Sequence, residues 1–358
     1  MEKTRLSKVI NVGNRLVGES QPVFFIAEIG ANFDQGLEKA KELILAAKYA
    51  GADCVKFQSF LADKIVSGPS FAKMKANLKG VHGAWSKPID QVFKEAEFPR
   101  EWHKELFDYC KGAGIMFASA PYDFEAVDLL DSLGVSFFKI GSGEITWPEM
   151  LEYIAKKGKP VFLATGDSTL AEVEEAVRII ENTGNKQLVL MQCITNYPSK
   201  IESANINVLK TYQTAFDVIT GYSDHSPGDI VPLGMAALGG KVVEKHFTLS
   251  KKDEGPDHPH SMEPLEFKSM VEKVHLLEKA LGSTRKEVVE EERETVVVQR
   301  RSLHAKRDIK KGEVITKEDI IELRPAIGIL PKFKEIVAGR KAKVDIGKHE
   351  AIYWEAIE

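Results

Sequence analysis

A regular alternation of short apolar runs and amphipathic segments, between about residues 23 and 281, constrains the fold of this chain most. Eight apolar runs have the length of a β-strand: Val23–Glu28, Cys54–Gln58, Ile115–Ser119, Ser136–Ile140, Pro160–Thr165, Gln187–Cys193, Phe216–Thr220 and Lys241–His246. Runs that are apolar almost throughout are typical of parallel strands, whose two faces are both buried.

Segments of helical periodicity separate these runs. After the first run, Leu37, Ala40, Leu43, Ile44 and Ala47 recur at helical spacing, and Gly51 ends that helix. Further helices are predicted near 99–112, 123–132, 148–157, 170–182, 205–213, 228–238 and 264–281. Eight strand–helix units in roughly 250 residues predict an α/β fold, a (β/α)8 TIM barrel. A doubly wound open sheet is the alternative, although it usually has fewer strands.

Other segments flank or interrupt the predicted barrel. Residues 1–22 read as a hairpin turning at Gly13-Asn14. The loop of residues 60–98, which contains Trp85, is long enough to form a lid. After residue 282 the composition changes, so we expect a barrel domain over 1–282, a charged linker over 283–295 and a small module of strands and turns over 296–358.

Composition narrows the possible partners and the compartment. The net charge is -4 and no basic stripe is interleaved with aromatic residues, which argues against nucleic acid. No apolar run approaches the ~20 residues of a membrane span, and the N-terminus lacks the pattern of a signal peptide. The three cysteines show no C-x-x-C spacing, so free thiols in a reducing cytoplasm are expected.

Two histidines lie at or shortly after the ends of the last two predicted strands. His225 ends the stretch GYSDH and His246 ends the stretch EKH. If the two strands are parallel neighbours, both imidazoles emerge at the same end of the sheet, where they can hold a divalent metal such as Mn, Zn, Fe or Co. Spacing alone does not distinguish this site from two unrelated histidines at strand ends.

Polar groups at the other strand ends support a site at this end of the barrel. Glu28, Lys56 and Gln58 alternate with apolar residues, so their side chains point into the barrel mouth. Lys139 precedes Gly141-Ser142-Gly143-Glu144, a turn that can hold a phosphate or carboxylate. Further groups follow later strands or lie in the loop behind the last one: Thr195, Asn196, Tyr197, Ser223 and Asp257. His258 and His260, in that same loop, are expected to be exposed.

The set suits an anionic substrate, a metal and proton transfer, and the residues that form it also carry a family resemblance. The stretches FFIAEIGAN, GADCVKFQ, FFKIGSGE, CITNYP, GYSDH, EKHFT and GPDHPHSMEP, followed by the tail RRSLHAKRDIKKGEVIT and LRP, resemble the sialic acid synthase family. The resemblance covers nearly the whole chain, in order. It implies a TIM barrel followed by a mostly-β SAF (antifreeze-like) domain, paired in a domain-swapped homodimer.

The resemblance also implies an activity. Such enzymes condense phosphoenolpyruvate with the aldehyde form of an N-acetylated amino sugar, such as N-acetylmannosamine, and release a nonulosonic acid and phosphate. They need a divalent metal, most commonly Mn²⁺, with Mg²⁺ or Co²⁺ as substitutes. The metal acts as a Lewis acid on the aldehyde.

The resemblance assigns a role to each candidate residue. His225 and His246 would hold the metal, and Glu28 and Glu144 would orient substrate and move protons. Phosphoenolpyruvate would be bound by Lys56, Lys139, Ser142, Thr195 and Ser223. The sugar would be bound by Gln58, Asn196, Tyr197, Asp257 and, through its N-acyl group, Arg324 of the partner subunit.

Several positions depart from the family pattern. Ala120 and Ala164 stand where hydroxyl side chains are usual, Thr195 alters a third position, and Phe33 replaces a histidine. These departures leave the substrate open. The alternatives are a legionaminate or pseudaminate-type synthase of the same chemistry, another metal-dependent aldol or lyase reaction, and a carbohydrate- or ice-binding protein that has lost catalysis.

Overall fold

A computed structural model describes residues 6–74 and 87–358, and the chain divides into two compact units, Met1–Gly282 and Ser283–Glu358. The first unit begins with an antiparallel hairpin, β1 (Val9–Val12) and β2 (Arg15–Gly18). Eight further strands follow: β3 (Phe24–Glu28), β4 (Cys54–Ser59), β5 (Met116–Pro121), β6 (Phe138–Ile140), β7 (Val161–Ala164), β8 (Leu188–Cys193), β9 (Ile219–Asp224) and β10 (Val242–His246).

These eight strands form a nearly closed parallel barrel. The hydrogen-bonded order is β5-β4-β3-β10-β9-β8-β7-β6, and its two outer strands, β5 and β6, pack side by side. The first barrel strand pairs with the last, with Glu28 opposite His246. An open doubly wound sheet would leave these strands apart, so the prediction of a TIM barrel is confirmed.

Helices follow the strands, as the periodicity predicts: α1 (Leu37–Tyr49), α2 (Ala62–Ile65), α3 (Gly68–Met74), α4 (Ile89–Ala96), α5 (Trp102–Ala113), α6 (Phe124–Leu133), α7 (Pro148–Ala155), α8 (Leu170–Asn182), α9 (Val208–Phe216), α10 (Ile230–Ala237) and α11 (Pro264–Leu281). Local chemistry fixes several ends. Thr169 and Glu172 form a capping box that starts α8. Gly114 and Gly134 end α5 and α6 in the left-handed conformation.

The seventh barrel strand lies further along the chain than its apolar run predicts. The sequence predicts a strand over Phe216–Thr220, but Phe216 is the last residue of α9 and the strand runs over Ile219–Asp224. The polar end of this strand remains in the sheet because its residues are buried with partners. Ser223 faces the barrel interior beside Glu244, and Asp224 pairs with Lys245 on the outer face.

The barrel core has two parts. Its interior is filled near the N-terminal ends of the strands by Phe24, Phe137, Phe162, Val189, Ile219 and Val242. Val12 and Val17 of the predicted hairpin pack into the same cluster and are fully buried, so the hairpin closes this end of the barrel. A larger cluster lies between the strands and the surrounding helices. The polar side chains are therefore left to the C-terminal mouth.

The second unit is small and mostly β. It contains α12 (Arg293–Gln299), the antiparallel pair β11 (Ser302–Ala305) and β12 (Ile320–Leu323), and the short helix α13 (Lys334–Val337). Its core includes Leu303, Ile309, Ile315, Ile346 and Ile352. The domain limits 1–282, 283–295 and 296–358 stay a prediction.

Two further expectations concern the lid and the membrane. Trp85, in the predicted lid, lies outside the described residues; the described parts of that loop carry α2, α3 and α4. Within the part of the chain that the structure describes, no helix is both long enough and apolar enough to cross a membrane.

Candidate active site

A cavity of about 360 Å³ opens at the C-terminal ends of the barrel strands. Twelve of the predicted site residues line it: Glu28, Lys56, Gln58, Lys139, Ser142, Glu144, Thr195, Tyr197, Ser223, His225, His246 and Asp257. Two do not. Asn196 is exposed, and its amide donates to the carbonyl of Pro198 at 2.8 Å. Arg324 is exposed in the second unit, directly after β12.

Strand alternation places the charged side chains of the cavity. Ile26, Cys54, Phe137 and Val242 all belong to the interior apolar cluster. Two residues further along the same strands come Glu28, Lys56, Lys139 and Glu244, which face the same way. They form a polar layer directly above the apolar one.

Three of these charged groups meet through one carboxylate. Glu244 Oε1 lies 3.4 Å from Lys56 Nζ and 3.5 Å from Lys139 Nζ, and it accepts a 3.1 Å hydrogen bond from Ser223 Oγ. Glu28 Oε2 lies 2.6 Å from Lys56 Nζ, while Gln58 donates to Glu28 Oε1 at 2.7 Å. The sequence reasoning missed Glu244. Its position two residues before His246, on the same strand face, was the signal that could have found it.

The environment sets the protonation of the carboxyl groups. Burial raises the pKa of Glu28 to about 7, and the neighbouring Glu244 adds to this shift against the opposing effect of Lys56. Burial also acts to raise the pKa of Glu244, but the ammonium groups of Lys139 and Lys56 outweigh it and lower that pKa. Burial raises the pKa of Glu144 to about 7. Near neutral pH, Glu28 and Glu144 can therefore each accept or release a proton.

Small residues and hydroxyl groups form one wall of the cavity. Ser142 Oγ accepts a 3.0 Å hydrogen bond from the N–H of Gly166. A Cβ atom at Gly166 would lie 2.2 Å from Thr195 Oγ1 and 2.8 Å from Ser142 Oγ, so glycine is what lets these hydroxyls converge. Ala120 and Ala164 also line the cavity. Methyl groups therefore face the cavity at two of the four departures from the family pattern.

The predicted metal ligands lie together at this mouth. The ring centroids of His225 and His246 are 5.4 Å apart. His225 Nδ1 lies 2.8 Å from the carbonyl oxygen of Ile194, which fixes that nitrogen as the donor and leaves Nε2 with its lone pair. Burial lowers the pKa of both imidazoles, so both are neutral, as a metal ligand must be.

The loop after β10 brings a third imidazole into the cavity. The prediction that His258 and His260 are exposed is wrong. His258 is fully buried, with Nδ1 2.7 Å from Thr248 Oγ1 and Nε2 2.9 Å from Asp34 Oδ1. The His260 side chain is 5% exposed and lines the cavity.

A backbone contact seats this loop over the mouth. Asp257 Oδ2 accepts a 3.0 Å hydrogen bond from the N–H of Ala31. Gly30 has a φ of 54°, and a Cβ there would lie 2.4 Å from the same carboxylate oxygen, so the close approach requires glycine. His246, Asp257 and His260 each offer a ligand atom, and these atoms all lie within 4.8 Å of one another. Two imidazoles and a carboxylate suit a divalent transition-metal ion.

Comparison with known proteins accounts for this combination of barrel and site. The family model described as the NeuB family matches residues 43–286, and the SAF domain model matches residues 300–358. The chain belongs to the NeuB family. It is therefore a sialic acid synthase-type enzyme with a C-terminal SAF domain, as the resemblance in the sequence implied.

Individual proteins similar to this NeuB-family chain agree with the family assignment. It is 37% identical to an N,N'-diacetyllegionaminic acid synthase of Legionella pneumophila, over 95% of this chain and 96% of the relative. It is 36% identical to a pseudaminic acid synthase of Campylobacter jejuni, over 96% and 98%. Among solved structures it resembles an N-acetylneuraminic acid synthetase from Leptospira borgpetersenii, with a TM-score of 0.73 and 29% identity over 82% of this chain and 96% of that one.

Proposed function

We propose that this enzyme condenses phosphoenolpyruvate with the aldehyde form of an N-acetylated amino sugar, giving a sialic-acid-like nonulosonic acid and phosphate. N-acetylmannosamine or a related hexosamine is the acceptor. The observation that carries the proposal is the convergence of two buried lysines, two serine hydroxyls and neutral imidazoles on one cavity. Lysines and hydroxyls suit a polyanion, whereas the imidazoles suit a metal near the acceptor.

Phosphoenolpyruvate would bind on the lysine side of the cavity. Lys56 and Lys139 supply ammonium groups, and the hydroxyls of Ser142, Thr195 and Ser223 supply hydrogen bonds. Glu244 Oε1 is now the acceptor for Ser223 and lies between both lysines. A substrate anion can take over these donors because they already point to a common place.

The acceptor sugar would bind on the histidine side, against Gln58, Tyr197 and Asp257. His225 and His246 would hold a divalent cation, Mn²⁺ in the first instance with Mg²⁺ or Co²⁺ as alternatives. Such a cation, when bound, polarises the acceptor carbonyl. The structure supports this placement, because both imidazoles are neutral, buried and directed at the cavity.

The two carboxyl groups with raised pKa values would have different roles: Glu144 would move a proton and Glu28 would orient a lysine. In the condensation, C3 of phosphoenolpyruvate bonds to the aldehyde carbon, and the aldehyde oxygen takes up a proton. Water then adds at C2 and loses a proton, and cleavage of the C2–O bond releases phosphate. Glu144 lies in the turn that follows Lys139, so we propose that its carboxylate accepts the proton that water loses. Glu28, held by Lys56 and Gln58, orients the lysine.

The pH dependence of Glu144→Gln tests this assignment. Below pH 7 the wild-type carboxyl is protonated and cannot accept a proton, so kcat/KM is expected to fall as the pH is lowered through about 7. Glu144→Gln should lower kcat by about 10²–10⁴-fold and lose this acidic limb. Phosphate release between pH 5.5 and 9 measures both. Because Glu28 has a similar pKa, Glu28→Gln is the matched variant and must keep the limb. Loss of the limb in Glu28→Gln, and not in Glu144→Gln, contradicts the assignment.

The reaction itself is tested with phosphoenolpyruvate, Mn²⁺ and a panel of N-acetylated hexosamines. We expect phosphate release that requires both substrates, and a product whose mass is that of the acceptor plus the pyruvate unit. Phosphate release without an acceptor, or no phosphate release with any acceptor, would contradict the proposal. Sugar binding without phosphoenolpyruvate binding, measured by titration calorimetry, would favour a carbohydrate-binding protein instead.

A legionaminate or pseudaminate-type reaction is the second candidate. Apolar side chains form one side of the cavity: Phe60, Ile65, Val92, Phe93 and Ala96. This wall suits the methyl groups of an acceptor with two acetamido substituents better than the hydroxyls of N-acetylmannosamine. The most direct discrimination is to compare kcat/KM for mono- and diacetylated acceptors in the same assay.

The proposal extends to the assembly. We propose a cytoplasmic, domain-swapped homodimer in which Arg324 of the partner subunit completes the sugar site. This part rests on the family resemblance alone.

A further inference from the structure

His260 stands with His246 and Asp257 in a group that could hold a metal ion. The ring centroids of His246 and His260 are 4.8 Å apart, and carboxylate oxygens of Asp257 lie within 4 Å of both rings. Asp257 Oδ2 is 3.8 Å from His246 Nδ1, and Oδ1 is 3.9 Å from His260 Nε2. Both distances are too long for a hydrogen bond. A gap of this kind, bounded by two nitrogens and a carboxylate, has room for a cation that all three groups can reach.

The nitrogens that border this gap have no partner of their own. His246 Nδ1 and His260 Nε2 are buried without a hydrogen bond in the described structure, and their side chains are 6% and 5% exposed. Buried polar atoms are nearly always paired, because an unpaired one loses its hydration without compensation. A bound cation would satisfy both lone pairs at once.

A neighbouring group with similar residues shows the contrast. Asp34, Asp253 and His258 also cluster within reach of one another. There Lys39 Nζ contacts both carboxylates, and each His258 nitrogen has a hydrogen-bond partner. That group already contains an ammonium, and both nitrogens of its imidazole are hydrogen-bonded. Among the described residues, no ammonium pairs with Asp257, and His246 Nδ1 and His260 Nε2 have no hydrogen-bond partner.

We propose that His260 is a further ligand of the active-site cation, together with His246 and Asp257. The inference rests on the metal requirement in the proposed function and adds two ligands to it, His260 and Asp257. Tyr197 packs against the His225, His246 and His260 rings, at centroid distances of 4.1, 5.8 and 5.2 Å. Two imidazoles and a carboxylate favour Co²⁺ and Zn²⁺ over Mg²⁺, because imidazole is a poor ligand for Mg²⁺.

Metal binding to the substrate-free protein tests the assignment. The full chain is stripped with a chelator and titrated with MnCl₂ or CoCl₂ in a calorimeter. His260→Gln should weaken binding of both metals by roughly 10–100-fold. Glutamate has nearly the same shape as glutamine but offers a carboxylate ligand. His260→Glu should therefore bind both metals at least fivefold more tightly than His260→Gln. His349→Asn, in the second unit, controls for loss of a histidine elsewhere and should bind as the wild type does.

The visible absorption of bound Co²⁺ gives a second measurement, because its position and intensity depend on the ligands. We expect different spectra for the wild type and His260→Glu. Affinities for His260→Gln within twofold of the wild type, or identical Co²⁺ spectra, would overturn the inference. If His260→Gln does not fold, the His260→Glu spectrum alone decides. Neither measurement uses substrate, so lack of condensation activity would count against the proposed function and not against His260.

Discussion

Lys139→Met is expected to raise the KM for phosphoenolpyruvate about 100-fold or more while leaving the barrel at least as stable as the wild type. Lys139 is 3% exposed, and its nearest carboxylate oxygen in the described part of the chain is Glu244 Oε1 at 3.5 Å. The ion pair with Glu244 is long, and Glu244 keeps Lys56 Nζ at 3.4 Å when Lys139 is removed, so the cost of desolvating the Lys139 ammonium outweighs the loss of this pair. Its charge therefore lowers stability in the free enzyme, and a substrate anion would compensate it.

Lys139→Met should weaken phosphoenolpyruvate binding without lowering stability, and a variant that is merely misfolded would not show this combination. Methionine keeps most of the side-chain volume and removes the charge, so the melting temperature should stay the same or rise. The lost charge-assisted hydrogen bond to phosphate, worth about 1.5–3 kcal/mol, accounts for most of the change in KM.

Steady-state phosphate release and thermal melts measure both effects. Lys200→Met, at an exposed position, removes the same charge away from the cavity and should change neither quantity. A variant that loses stability with little change in KM would show that Lys139 is a structural ion-pair partner.

The barrel could be predicted from sequence because it rests on local patterns. Each strand is an apolar run, and the period of two that places Phe24 and Ile26 in the barrel interior also places Glu28 there. Glu28, Lys56, Lys139 and Ser223 could be found for the same reason. Strand β9 was misplaced because its last residues are polar, and only tertiary partners keep Ser223 and Asp224 buried.

The parts of the site that were missed depend on contacts between distant segments. The period of two places Glu244 on the same strand face as His246, but its ion pairs with two lysines from other strands are seen only in the folded chain. His260 lies in a loop of Gly, Pro, Asp and His, which is typical of exposed turns. It is buried because Asp257 bonds to the backbone of Ala31, more than 200 residues earlier. Periodicity carries no information about such a contact.

Lys56→Met is expected to destabilise the barrel by about 3–5 kcal/mol at pH 8, because it leaves buried carboxylates without their counter-charge. Lys56 Nζ lies 2.6 Å from Glu28 Oε2 and 3.4 Å from Glu244 Oε1, and all three side chains are at most 6% exposed. In Lys56→Met, Glu244 keeps its ion pair with Lys139 at 3.5 Å, so the carboxylate left without a counter-charge is mainly that of Glu28. This is the reverse of Lys139→Met, although both substitutions remove a buried lysine from one cavity.

The loss of stability caused by Lys56→Met should be smaller at low pH, because Glu28 is then protonated and uncharged. In the wild type its pKa rises from 4.5 to about 7 on folding, so its stabilising contribution is complete below about 4.5 and disappears as the pH rises through 7. Without Lys56 the folded pKa rises further, which extends the loss to higher pH. At pH 5 the folded carboxyl is protonated with or without Lys56. The gap between the two proteins should therefore be large at pH 8 and small at pH 5.

Urea unfolding at both pH values, followed by tryptophan fluorescence, measures this gap. Glu28→Gln should restore most of the stability of Lys56→Met at pH 8, since it removes the uncompensated charge. Lys245→Met is the matched control: it breaks a buried ion pair of 2.6 Å with Asp224 on the outer face of β10. It should also destabilise the barrel, but Glu28→Gln should not rescue it. Equal rescue of both variants, or a gap that does not change with pH, would mean that Lys56 stabilises the fold by packing and not as the counter-ion of Glu28.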